Sequence, residues 1–217
     1  MSAAAIHTFT ALLLAHVLAD FLFQTRWMVA HKRNPLVLVL HAALVLGLSL
    51  AALGGWSDWV LVLAGAHLAS LVAVAVVAPG PWQAGAWAGL PWLLPLFALV
   101  AGLILTTRAG GFAVGELMAP YAEVDLPRGL EKGGLLIGLL ERGLIFLFVL
   151  AGQPSGIGFL IAAKSILRFE TASKDQRAGE YVIIGTLASF GWALALSYAT
   201  LRLIDLLPPL ETGPVHD

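Results

Sequence analysis

The chain has 217 residues, of which 59% are hydrophobic and only 12% charged, with a formal net charge of −1 and no cysteine. Soluble domains carry roughly 25% charged residues, so this composition excludes an ordinary soluble domain. The absence of cysteine excludes disulfides and thiolate metal sites, and the near-neutral balance gives no reason to expect a nucleic-acid partner.

Residues 35–107 contain one formal charge, Asp58. The apolar runs are continuous and rich in Leu and Ala, not alternating as the strands of a membrane barrel would be. The expected fold is all-α, a polytopic transmembrane helical bundle of six or seven spans. Four segments follow from the pattern. Residues 1–79 form an N-terminal three-helix membrane unit, and 80–132 hold the fourth span and an interfacial loop. Residues 133–207 hold the C-terminal helices, and 208–217 form a tail.

The first span is predicted from about Ala4 to Val29. Met1-Ser2-Ala3-Ala4-Ala5 lacks the basic start of a cleaved signal, so the span is expected to be retained. Arg26, Lys32 and Arg33 follow it without an acid, which places the Arg26–Asn34 loop in the cytoplasm. Asn34-Pro35 then breaks the chain and opens span two, Pro35 to Leu53. Span three is read from Trp59 to Ala78 and closes at Pro79-Gly80-Pro81, and span four from Leu90 to Thr107. Residues 108–132 read as the longest polar stretch, with a short surface helix over Phe112–Tyr121. Span five runs from Gly133 to Ala151. Span six, Ile157 to Phe169, is short for the roughly 20 residues that a bilayer crossing needs. A charged loop, Glu170–Gly179, leads to span seven, Glu180 to Leu203.

Two sets of polar residues break the apolar pattern. In span one, His16, Asp20 and Gln24 recur every fourth residue and would share one helical face. With ~1.5 Å of rise per residue, Asp20 lies about 12–15 Å from the loop end of span one, and His41 about 9 Å from the same loop on span two. His67 falls near the middle of span three. These five residues are the candidates for a proton or cation site, and their imidazoles and carboxylate also suit a divalent metal such as zinc. Histidines that simply hydrogen-bond between helices are the plainer alternative.

The second set is Glu141 and Arg142 on span five, Lys164 and Arg168 on span six, and Glu180 on span seven. Adjacent residues on a helix point about 100° apart, so Glu141 and Arg142 each need a partner on another helix. The set reads either as ion pairs joining spans five to seven or as a basic pocket for phosphate or a lipid headgroup.

The pattern His16-x3-Asp20-Phe21-x2-Gln24, with Lys32-Arg33, His41 and the C-terminal segments Lys164–Phe169 and Glu180–Leu187, resembles a bacterial family of integral membrane proteins of unknown function. The resemblance covers both ends but not residues 80–130. It implies a multi-pass protein of the inner membrane and no particular activity.

The residues themselves favour a small transporter or permeation protein with an intramembrane His/Asp site. The lipid bilayer is its first partner, a small ion or anionic substrate its ligand, and an oligomer remains open. One alternative is a metal-dependent membrane enzyme acting on a lipid or lipid-linked phosphate. Another is a non-catalytic partner subunit.

Overall fold

A computed structural model describes residues 2–31, 33–55, 80–121, 133–172 and 176–207, with backbone alone for 167–172. It is all-α, and no strand occurs among the described residues. Its helices are α1 (Ala3–Leu18), α2 (Arg26–Ala30), α3 (Pro35–Leu53), α4 (Pro81–Ala84), α5 (Leu93–Ile104), α6 (Gly110–Met118), α7 (Gly133–Leu150), α8 (Ser155–Ala172) and α9 (Gln176–Asp205). Two π-helical segments interrupt the α pattern: Ala19–Phe23 continues α1, and Leu105–Ala109 joins α5 to α6.

Among the described residues, five stretches are long and apolar enough to cross a bilayer: Ala3–Phe23, Pro35–Leu53, Leu93–Tyr121, Gly133–Leu150 and Gln176–Asp205. Their surfaces agree with that setting. Leu36 is 75% exposed, Leu135 67% and Leu187 68%. Such a surface is an aggregation liability in water and a normal one against lipid tails. These features fit a membrane-embedded protein.

Several boundaries differ from the sequence reading. Span one does not run on to Val29. Its helix ends at Phe23, Gln24 is extended, and Thr25 caps a separate short helix by accepting from the Met28 amide at 3.3 Å. Span two matches, because Asn34 caps it through the Leu36 amide at 2.9 Å and Pro35 takes the first turn. Span four does not stop at Thr107, since the helical backbone passes through the π segment to Tyr121. The expected charged loop 170–179 is mostly helix, with α8 reaching Ala172 and α9 starting at Gln176. The apolar part of α8, Ser155–Ile166, is shorter than a bilayer crossing. Span three, with His67, lies outside the described residues.

The chain divides into two compact units, residues 1–101 with 202–217, and residues 102–201. In the first, Ala11, Leu12 and Ala15 of α1 pack with Leu53 of α3, Trp82 of α4 and Leu94 of α5. Trp82 meets the Phe97 ring edge-on at 6.1 Å. In the second, Ile145 and Val149 of α7, Ile157 of α8, and Phe190 and Ala193 of α9 form the core.

The end of α3 shows how tightly the first unit is specified. Gly54 closes the helix at φ +72°, and the indole of Trp87 lies where a Cβ would project. The indole Nε1 donates to the Ala51 carbonyl at 2.8 Å, satisfying one of the acceptors left open at a helix C-terminus. Gly54→Ala should therefore destabilise by about 1–3 kcal/mol through left-handed strain, with ring displacement added. Thermal unfolding in detergent, beside an Ala substitution at the unobstructed Gly47, measures it.

Candidate functional site

Two polar sites emerge, one in each unit. The first is built on α1 and α3. Pro35 and Asn34 fix the start of α3, and the helix carries His41 two turns in. His41 Nε2 lies 3.3 Å from Asp20 Oδ1, with the side chains 12% and 30% exposed respectively. Asp20 sits inside the Ala19–Phe23 π segment, where the i→i+5 pattern widens the helix and re-aims its side chains. One turn earlier, His16 is 1% exposed and engaged in the interior.

The expected common face of His16, Asp20 and Gln24 is not kept. The π segment breaks the four-residue spacing, and Gln24 has left the helix with φ −69° and ψ 106°. The sequence-predicted pair that does meet is Asp20 and His41. No group of three His, Asp or Glu side chains suited to a metal gathers among the described residues. A polar contact that sequence reasoning missed lies near the start of α1, where Gln83 Nε2 and His7 Nδ1 are 3.4 Å apart.

The second site is built on α7. As the adjacent-residue geometry required, Glu141 and Arg142 go to different helices. Lys164 Nζ of α8 donates to Glu141 Oε2 at 2.7 Å, and the ammonium also lies 5.2 Å from the Phe190 ring centre. This pairing takes Lys164 out of the expected Lys164–Arg168 anion face. Glu180 is exposed and accepts from Gln176 Nε2 on its own helix at 3.0 Å, so it does not reach Lys164. The Arg168 side chain lies outside the described residues.

Arg142 is different. It is 5% exposed, and the acceptors of its hydrogen bonds are neutral: Nε donates to the Thr107 carbonyl and Nη1 to Ser189 Oγ, each at 3.0 Å. No carboxylate lies within ion-pair distance of it among the described residues. The π segment makes one of these bonds available. Thr107 and Leu105 carbonyls share the Gly110 amide, and each accepts a second donor from a side chain, Arg142 Nε and Trp192 Nε1 respectively. A buried cation held by neutral acceptors alone still carries an unbalanced charge.

Glycine makes the seat. A Cβ at Gly138 would lie 3.0 Å from Arg142 Nη1, and one at Gly111 would lie 3.1 Å from Nη2. Long helical side chains lean toward the N-terminus over the residue four back, so Gly138-x3-Arg142 was a readable signal for this notch. Nothing in the sequence marked Thr107, Ser189 or Trp192. The guanidinium borders a cavity of about 700 Å³ within the second unit, lined also by Arg108, Thr186, Tyr181 and the Glu141–Lys164 pair.

The Glu141–Lys164 pair predicts a specific pattern of stability. Lys164→Met alone strands a carboxylate and should cost about 3–5 kcal/mol, whereas Glu141→Gln with Lys164→Met should recover most of it. A double-mutant cycle on detergent-purified protein reads the coupling. Comparison of the chain with family models, curated proteins and solved structures returns no match.

Proposed function

We propose that this chain is a small multi-pass transport or permeation protein of the bacterial inner membrane, with Asp20 and His41 as its intramembrane proton or cation site. The Arg26–Asn34 loop faces the cytoplasm in this reading. The observation that carries it is the 3.3 Å contact between Asp20 and His41 across two helices that are each long and apolar enough to span a bilayer. Titratable groups are expensive in such helices and mark ion or proton paths when they occur there.

The chemistry follows from the pair. A protonated His41 and an ionised Asp20 attract each other, and that attraction fades once either group exchanges its proton. The π segment supports the reading, because such segments place polar side chains where a straight α-helix cannot. A metal-dependent enzyme would need a third ligand beside Asp20 and His41, and transport needs only the pair.

The test is proton or cation uptake into proteoliposomes, followed with an internal pH-sensitive dye under an imposed potential. Wild type should exceed empty liposomes. Asp20→Asn should reduce the flux about tenfold or more while helix content and monodispersity are kept, as for loss of one charge-assisted interaction of ~1.5–3 kcal/mol. Unchanged flux in Asp20→Asn sinks the proposal. So does about one bound divalent metal per chain that both Asp20→Asn and His41→Ala abolish, with no flux in wild type.

A further inference from the structure

The cavity beside Arg142 has no part in the proton or cation reading, and it stands on residues other than Asp20 and His41. We propose that it binds an amphiphilic anion, a molecule with a phosphate-type head and an apolar body. The head is assigned by the buried guanidinium. Two of the five N–H donors of Arg142 are committed to Thr107 and Ser189, and the side chain borders the cavity. Arginine's planar fork suits oxyanions, which it can grip with two parallel hydrogen bonds.

The charge balance of the lining agrees. Lys164 pairs with Glu141 at 2.7 Å, and with Arg142 and Arg108 the lining carries three cations against one carboxylate. The Tyr181 hydroxyl adds a neutral donor on the same lining, while the Thr186 hydroxyl donates to the Val182 carbonyl at 2.7 Å. An anion placed here adds a counter-charge to this cationic lining and offsets part of the cost of burying Arg142.

The body is assigned by size and lining. About 700 Å³ falls within the roughly 300–1,000 Å³ of small-molecule sites and far exceeds what a bare phosphate fills. The apolar part of the lining includes Val114, Met118, Leu135, Ile137 and Val182. Two lining residues, Phe112 and Leu135, are 62% and 67% exposed, so the apolar wall continues onto the outer surface. An apolar chain can therefore extend from the cavity over that apolar surface. Glycine keeps the space open, since a Cβ at Gly115 or Gly134 would meet nothing within 4 Å.

The experiment is titration calorimetry of the full chain in detergent with three probes: short-chain phosphatidic acid, phosphatidylcholine of the same chain length, and inorganic phosphate. Wild type is compared with Arg142→Gln and with Gly134→Leu, which puts a bulky side chain on the cavity lining and leaves the guanidinium in place. Phosphatidic acid should bind saturably, and its affinity should fall about tenfold or more in each variant that keeps its helix content and elutes as a single species. The other two probes should bind at least about tenfold more weakly than phosphatidic acid. If Arg142→Gln does not fold, Gly134→Leu decides. Equal affinity for phosphatidylcholine removes the anionic head, and equal affinity for inorganic phosphate removes the apolar body. Either result overturns the proposal, as does unchanged affinity in a folded variant or no binding by wild type.

Discussion

The guanidinium of Arg142 is the group that the second unit is built to hold. It keeps its charge at any ordinary pH, so it has no neutral form to retreat to when apolar helices surround it. The neighbouring elements respond to that demand. A π segment offers the Thr107 carbonyl, α9 contributes the Ser189 hydroxyl, and glycines on α6 and α7 withdraw their bulk. Trp192 occupies the second carbonyl that the π segment leaves accessible, so the distorted turn is satisfied from outside its own helix. A straight α-helix would have kept both carbonyls within the ordinary ladder.

The first unit solves a smaller version of the same problem. Asp20 and His41 each have a neutral form, and the two side chains lie 3.3 Å apart. Here too the helix departs from α geometry where the carboxylate is attached. Both π segments therefore coincide with polar groups in otherwise apolar helices, and each turns a side chain or a carbonyl toward a neighbour. What separates the sites is charge. The first can lose its charge by moving a proton, whereas the second can lose it only by acquiring a counter-ion.

Much of the architecture was legible because hydrocarbon is a strict solvent. The all-α class and the limits of Pro35–Leu53 and Gly133–Leu150 followed from apolar runs bounded by Asn-Pro, Gly and Trp. The divergence of Glu141 and Arg142 followed from their adjacency on one helix. The two misread features have separate causes. Periodicity assumes 3.6 residues per turn, and the Ala19–Phe23 π segment violates it, so Gln24 does not keep the face of His16 and Asp20. The polar stretch opening at Arg108 reads as the end of a span, yet the helical backbone continues through it to Tyr121. Charge patterning also paired residues by their signs. It therefore found Glu141–Lys164 and overlooked a cation whose partners are a carbonyl and a hydroxyl.

The notch at Gly138 also bears on how this sequence can change over time. Arg142 leans back over the position four residues earlier, and a methyl group there would already stand 3.0 Å from its Nη1. A methyl group at residue 138 asks the end of the guanidinium to shift by a few tenths of an ångström, and a larger side chain asks for more. The size of residue 138 therefore sets where the charge of residue 142 can sit, so Gly-x3-Arg works as one positional unit.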